Sequence, residues 1–209
     1  MTMKDQKEMV REVNETKIID AAEQVFARFG FNGATMDKIS KQVGLPKANI
    51  HYYFKTKSLL YRVVLERILQ EWMVAAQVFD KHKEPRVAVT KYVESKMRFS
   101  RLRPYASKVW ANEVMHGASV VGEFLETTLK TWLEDRIKVV NKWIELGKIN
   151  PVDPNAFFYM IWSMTQHYAD FERQLTILND GHQFTDEEYQ LQTDQVIKLI
   201  LNSVGLRLT

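Results

Sequence analysis

Residues 30–60 read GFNGATMDKISKQVGLPKANIHYYFKTKSLL, and this stretch decides how the N-terminal third of the chain folds. Apolar residues at helical spacing predict two short helices, over residues 35–43 and 46–54, with a tight turn at Gly44 between them. Thr35 is a suitable N-cap for the first of these helices. Two short helices joined by a turn that contains glycine form the helix-turn-helix motif.

The second short helix has an apolar face and a polar face. Ile50 and Phe54 share the face that packs inward, which leaves a short polar, aromatic and cationic face pointing outward. The outward residues are Lys47, Ala48, Asn49, His51 and Tyr52. Such a face suits a DNA major groove about 12 Å wide, where Ala48 can contact a thymine methyl group and Asn49 an adenine edge. The residues best placed for phosphates are Lys47, Tyr52, Lys55 and Lys57. Spacing alone also allows simple helix packing, with the Tyr-Tyr-Phe string in the core.

The 209-residue chain has an ordinary globular composition, with 45% hydrophobic and 26% charged residues and no cysteine. The absence of cysteine excludes disulfides, thiolate metal sites and a cysteine nucleophile. The net charge of +3 is uneven, because residues 1–62 carry 11 Lys/Arg against 7 Asp/Glu, whereas residues 63–209 carry 18 against 19. Residues 1–17 contain four residues of each sign. We therefore expect a solvated or frayed tail over residues 1–15 and a positive patch around the motif.

The rest of the sequence predicts further helices and no strand. Asp153 is a suitable N-cap before Pro154, and Thr185 with Glu188 forms a capping box. A first helix is expected before the motif, with an apolar face from Ile18 to Phe29 and Gly30 after its end. Beyond the motif, one helix is expected to begin near residue 56, and others to cover about 85–102, 104–116, 121–146, 154–171 and 185–204. The fold class is therefore all-α, with about nine helices. No apolar run is long enough for a membrane span and the N-terminus is unlike a signal peptide, so we expect a soluble cytoplasmic protein.

Enzyme motifs are missing from the sequence. It contains no phosphate-binding glycine loop, no nucleophile elbow and no His-Glu-x-x-His pair. Glu113 and His116 have the Glu-x-x-His spacing of di-iron bundles, but such sites need a second pair and two further glutamates. We expect no catalytic residue, no metal site and no cofactor. A helical metal-dependent enzyme and a helical adaptor without DNA binding remain as alternatives.

The string over residues 30–60 resembles the DNA-binding domain of the TetR/AcrR family of transcriptional regulators. The shared pattern is T-x-x-x-I-[AS]-x-x-x-G-[VL]-[SP]-K-x-x-[LI]-x-x-Y-F-x-[ST]-K-x-x-L. This resemblance implies a three-helix DNA-binding domain over residues 16–62. It further implies a six-helix ligand-binding and dimerisation domain over residues 63–209. The implied partners of the protein are a double-stranded DNA operator and a small-molecule effector.

The resemblance also implies roles for single residues. Thr35 becomes a helix cap and phosphate contact, Tyr52 a backbone or base contact, and Lys57 a phosphate contact at the start of the connecting helix. The recognition helix is expected to open with Lys47, Ala48 and Asn49. Two residues depart from the pattern: His51 stands where tyrosine is usual, and Ser58 stands where an acidic residue is common.

The last two predicted helices are candidates for a homodimer interface. The helix over residues 154–171 is apolar nearly all round, and the final helix adds a second apolar stripe. Because the family dimerises in this way, we expect a four-helix interface in a two-fold dimer. The alternative is that both helices are fully covered within one subunit.

Aromatic and amide side chains in the larger domain are candidates for an effector pocket, in which ring planes sandwich a flat ligand. The candidates are Trp72, Trp110, Asn112, Trp162, Gln166 and Tyr168. The strings IWSMTQHYADF, ILQEW and GKINPVDP resemble the pyrimidine-utilisation (RutR/YcdC-like) branch of the family. This implies uracil or thymine as effector, with Trp72, Trp162 and Gln166 in the pocket and operator binding weakened by ligand. A regulator of an efflux or catabolic operon with a different apolar or aromatic ligand remains the alternative.

Overall fold

The computed structural model describes residues 3–77 and 79–206, and this part of the chain contains helices and turns but no strand. The all-α prediction is therefore confirmed. The elements are α1 (Met3–Gly33), α2 (Met36–Val43), α3 (Lys47–Tyr53), α4 (Lys57–Ala76), a 3₁₀ turn (Phe79–Lys81), α5 (Pro85–Leu102), α6 (Pro104–Met115), α7 (Gly122–Phe124), a π-helical turn (Leu125–Leu129), α8 (Lys130–Glu145), α9 (Pro154–Asp170), α10 (Glu172–Leu178) and α11 (Asp186–Ser203).

The chain divides into two compact units. The first contains the described residues up to Gln70 together with Lys108–Val120, and the second contains Glu71–Ser107 and the described residues from Val121 onward. Helices α4 and α6 each contribute residues to both units. None of the described helices combines the length and apolar character that a bilayer span requires.

Helix α1 begins much earlier than the sequence analysis expected. The segment predicted as a solvated or frayed tail is helical from Met3, and side chains 8–13 are exposed to solvent. The physical reason is that neither glycine nor proline occurs before Gly30, so nothing ends the helix. At Gly30 the backbone turns into the left-handed region, with φ of 65°. Glycine adopts this conformation without steric cost, which explains the kink there.

Helices α2 and α3 form as the capping residues predict. Thr35 is the N-cap of α2, where its side chain accepts a hydrogen bond from the Lys38 backbone N–H at 3.2 Å. Gly44 ends the helix with φ of 71° and donates its N–H to the Ser40 carbonyl. The core beneath the two helices includes Ile39 and Ile50, both fully buried.

The second unit is built around α5, which packs against α9 and α11. Its core is rich in aromatic rings, with centroid separations of 5.8 Å for Phe79–Tyr92, 5.9 Å for Tyr92–Trp132 and 5.6 Å for Trp132–Phe158. Such pairs add roughly 0.5–1.5 kcal/mol each beyond the burial of their area. The aromatic cluster therefore packs α5, α8 and α9 against one another.

The caps of the long C-terminal helices are confirmed. Asp153 accepts from the Ala156 N–H at 2.7 Å at the start of α9. Thr185 and Glu188 form the predicted capping box of α11. Helix α10 is an element that the sequence analysis did not predict. It follows a break at Phe171, whose φ of −109° and ψ of 24° depart from helical values.

Candidate DNA-binding and effector sites

Helix α3 presents the polar face that the spacing predicts. Ile50 is fully buried and Phe54 is 3% exposed. The exposed residues of the helix are Lys47, Ala48, Asn49, His51 and Tyr52. Tyr52 is 74% exposed, whereas Tyr53 is half-buried and its hydroxyl lies 3.5 Å from Asn14 Nδ2. The Tyr-Tyr-Phe string is therefore divided: Phe54 belongs to the core and Tyr52 to the outer face.

Two lysines of the first unit bind backbone carbonyls: Lys57, a predicted phosphate contact, and Lys38. Lys57 Nζ donates to the carbonyl oxygens of Phe31 at 2.7 Å and Ala34 at 3.0 Å, and Lys38 Nζ donates to that of Gly33 at 2.7 Å. These carbonyls lie at the turn between α1 and α2, where helical acceptors lose their usual partners. Lys57 therefore has an internal structural role, and its phosphate contact stays a prediction.

The other lysines of the motif differ in whether their ammonium groups are available to a DNA phosphate. Lys41 is paired with Asp37 at 2.9 Å, and this pairing lowers the pKa of Asp37 and raises that of Lys41. Lys47 and Lys55 are exposed, and the described part of the chain gives neither ammonium an acceptor. The Lys55 carbonyl lies 3.3 Å from His51 Nδ1. Lys47 and Lys55 are thus the motif lysines with ammonium groups available to a phosphate.

Thr35 has the first of the two roles that the family resemblance implies, that of the helix cap. Its hydroxyl oxygen accepts the backbone N–H of Lys38, so the O–H proton remains available to a phosphate oxygen. The side chain is exposed at the start of α2. The geometry is therefore compatible with a phosphate contact, which stays a prediction together with the other DNA contacts.

The predicted effector residues Trp72 and Trp162 both contact α5. Trp162 Nε1–H donates to the Tyr92 hydroxyl at 2.9 Å. Trp72 lies edge-to-face with Phe99 at 5.7 Å, and Lys96 Nζ lies 4.3 Å from the Trp72 ring centroid. Tyr92, Lys96 and Phe99 recur at helical spacing, so they share one face of α5. The structure therefore brings both tryptophans to a single helix face, which we call the α5 face.

Burial strongly shifts the pKa values of two polar groups on the α5 face. Tyr92 is 3% exposed, and burial raises its pKa far above the ordinary value, although the Trp162 hydrogen bond and the Arg136 charge act in the opposite direction. Burial lowers the pKa of Lys96 to about 8, while the charge of Asp170 acts to raise it. A shifted pKa together with a position between two aromatic contacts makes Lys96 a candidate binding residue. Nothing in the sequence analysis identified Lys96.

The remaining effector candidates lie in different surroundings. Gln166 is half-buried one turn after Trp162 on α9. Tyr168 donates to Gln192 Oε1 at 3.1 Å and lines a small cavity of about 40 Å³. Trp110 and Asn112 belong to the first unit, whereas Trp72 and Trp162 belong to the second.

The first unit contains a larger cavity beside α6. Its volume is about 680 Å³, and its lining includes Asn112 and the buried Glu113. The Glu113 carboxylate accepts from the Tyr61 hydroxyl at 2.9 Å and from the Val120 N–H at 2.6 Å. His116 Nδ1 lies 2.7 Å from the Asn112 carbonyl oxygen. Both members of the Glu-x-x-His pair are therefore engaged within the protein, and the described residues contain no group of three potential metal ligands.

Known families match both parts of the chain. The family described as "Bacterial regulatory proteins, tetR family" matches residues 18–64, and the one described as "YcdC-like protein, C-terminal region" matches residues 65–207. The HTH-type transcriptional regulator RutR of Escherichia coli (strain K12) is 34% identical over 191 residues, which cover 91% of this chain and 90% of RutR. This relative is a transcriptional regulator, in agreement with the prediction that the chain is not an enzyme.

Solved structures share the same fold at low sequence identity. The ketosteroid transcriptional regulator KstR2 of Mycobacterium tuberculosis superposes with a TM-score of 0.76 at 16% identity, covering 91% of this chain and 94% of KstR2. A TetR-like regulator from Rhodococcus sp. RHA1 gives 0.67 at 17% identity, covering 91% and 95%. The two family matches and the similarity to RutR show that the chain belongs to the TetR family of bacterial transcriptional regulators and has a YcdC-like C-terminal region.

Proposed function

We propose that the protein is a cytoplasmic transcriptional repressor that binds a palindromic operator as a homodimer and releases it on binding a pyrimidine base, uracil or thymine. The observation that carries the effector proposal is the α5 face, against which Trp72 and Trp162 both lie. The DNA-binding part rests on the exposed face of α3 in a TetR-family chain.

The dimer interface is proposed on α9 and α11, which pack side by side. Each helix leaves large apolar side chains uncovered within the subunit. Tyr159 on α9 is 53% exposed, and Leu191 and Leu199 on α11 are 61% and 57% exposed. A two-fold partner would bury these side chains against their own copies. Such a dimer presents two α3 helices to half-sites about 34–36 Å apart.

A pyrimidine base fits the chemistry of the α5 face. Indole rings favour stacking against a flat heterocycle, and a small polar ligand needs a few placed hydrogen-bonding groups. Gln166 offers an amide donor and acceptor one turn after Trp162. The resemblance of three strings of this sequence to the pyrimidine-utilisation branch of the family, together with the similarity to RutR, supports uracil or thymine as the ligand.

Release of the operator follows from linkage. An effector that binds one dimer arrangement more tightly than another shifts the population toward the first. Helix α4 is continuous from Lys57 to Ala76, and it carries Leu60 in the core of the first unit and Trp72 in the second unit. We propose that effector binding moves α4 and thereby takes the two α3 helices out of half-site spacing.

Calorimetric titration with uracil tests the effector. The wild-type protein is expected to release or absorb heat with one site per chain and to gain thermal stability. Trp72→Leu is expected to weaken uracil binding at least tenfold. Lys91→Met is the control and is expected to bind normally, because Lys91 is exposed on α5 and paired with Glu94 at 2.8 Å. No heat and no thermal shift at millimolar uracil would exclude a pyrimidine effector and favour a regulator of an efflux or catabolic operon with another ligand.

A further inference from the structure

We propose that Lys96 determines effector specificity by donating a hydrogen bond from its ammonium group to a ring carbonyl oxygen of the pyrimidine. The inference rests on the function proposed above and adds a residue to that site. It also defines the ligand class, since the ring must carry an exocyclic oxygen acceptor that reaches Nζ.

The position of Lys96 on α5 supports this role. Lys96 follows Tyr92, which binds Trp162, by one turn and precedes Phe99, which contacts Trp72, by one turn. Its Nζ atom is 4.3 Å from the centroid of the Trp72 ring. A flat ligand against the α5 face would therefore meet the ammonium group between the two tryptophan contacts.

The ammonium group needs an acceptor that the described chain does not provide. It carries three N–H donors, and within the described residues it contacts the face of the Trp72 ring, which attracts the charge but offers no oxygen. Burial lowers the pKa of Lys96 to about 8. Partial burial of a cation without an acceptor is unfavourable, and a ligand carbonyl would relieve that cost.

The neighbouring acidic groups have other partners. Asp170 on α9 accepts from Ser107 Oγ at 2.6 Å, and its charge is the one in the described residues that acts on the pKa of Lys96. On α4, Glu71 is held by Arg103, which donates to Oε2 at 2.6 Å. From α11, the described residues contribute no charge that acts on Lys96. A neutral carbonyl ligand thus completes the coordination of the ammonium without displacing either carboxylate.

Titration with uracil of the wild type and of three variants at pH 7 tests the proposal. Lys96→Met is expected to weaken binding at least tenfold, because the stem remains and the donor is lost. Lys96→Arg is expected to retain most of the affinity, because a cationic donor remains. Lys91→Met is the control, since Lys91 is exposed on α5 and paired with Glu94 at 2.8 Å, and it is expected to bind as the wild type does.

A pH series separates a contact from a packing role. Lys96 loses its proton as the pH rises through about 8, whereas arginine stays charged. Between pH 7 and 9 the uracil affinity of the wild type is therefore expected to fall about tenfold relative to that of Lys96→Arg. Ionisation of uracil itself affects both proteins equally and cancels in this ratio.

Three results would overturn the proposal. Wild-type affinity in Lys96→Met excludes the contact, and a ratio to Lys96→Arg that is constant with pH excludes an ammonium donor. The second readout does not depend on whether Lys96→Met folds. If the wild type folds cooperatively but binds no uracil, the pyrimidine effector is excluded and the role of Lys96 with it. Uracil binding that is independent of Lys96 rejects only the present inference.

Discussion

Replacing Lys47 by methionine is expected to flatten the salt dependence of operator binding. Lys47 opens α3 and is exposed, and the described chain gives its ammonium no internal acceptor. It is therefore available to neutralise a DNA phosphate, and each neutralised phosphate releases condensed counterions. Methionine keeps an unbranched stem of good helix propensity and removes only the charge.

The magnitude follows from the two-fold symmetry of the proposed dimer. Each dimer presents Lys47 twice, so the variant makes two fewer phosphate contacts. At ~0.9 per phosphate, the slope of log Kobs against log salt concentration becomes shallower by about 1.8. Over the fourfold range from about 50 to 200 mM salt, the wild type then loses about 12-fold more affinity than the variant.

Fluorescence anisotropy of a labelled operator duplex, titrated with protein at several salt concentrations, measures the slope. Lys41→Met is the matched control, because Lys41 lies on the neighbouring helix but is already paired with Asp37 at 2.9 Å. Its slope is expected to equal that of the wild type. An unchanged slope in Lys47→Met would refute the orientation of α3 on DNA. Failure of the wild type to bind any duplex would favour an adaptor without DNA binding. Equal changes in both variants would mean that net charge, rather than the geometry of α3, governs affinity.

Three further predictions concern stability. Thr35→Ala removes the N-cap of α2 and should lower the free energy of unfolding by about 1 kcal/mol in chemical denaturation. Tyr61→Phe deprives the buried Glu113 carboxylate of a hydrogen-bond donor and should cost about 1.5–3 kcal/mol in the same assay, so a loss below ~0.5 kcal/mol would contradict the geometry. Burial raises the pKa values of Tyr61, Tyr92 and Tyr189 above 10.0, so above pH 10 the unfolded chain binds fewer protons than the folded one. Stability should therefore fall above that pH by about 1.4 kcal/mol per pH unit for each tyrosine, and thermal unfolding that is independent of pH there would refute their burial.

The features of the fold that arise locally were predictable from the sequence. The Thr35 cap, the Gly44 turn and the capping box at Thr185 each depend on residues within a few positions, and the structure confirms all three. The extent of α1 also follows from a local cause, since no residue before Gly30 ends a helix, but the balanced charge of the tail led to the opposite expectation. Helix α10 was missed because its seven residues follow a one-residue break at Phe171.

In the candidate sites, too, local features were predictable from the sequence and contacts between distant residues were not. The outer face of α3 was predictable because Ile50 and Phe54 fix which side is buried. Sequence spacing did not reveal that Lys57 binds carbonyls before α2, because this contact spans more than twenty residues. Nor did it reveal Lys96, whose meeting with Trp72 depends on how α4 and α5 pack. Contacts between distant segments require the folded backbone before they can be assigned.

The dissociation constant of a palindromic duplex, with and without saturating uracil, shows whether the protein is a DNA-binding regulator that responds to a pyrimidine. The duplex is obtained by cyclic selection from random DNA, and binding is followed by fluorescence anisotropy. We expect two chains per duplex, half-sites one helical turn or a multiple apart, and an operator affinity that uracil weakens about 5- to 150-fold. The same affinity with and without saturating uracil would exclude release of the operator by this effector.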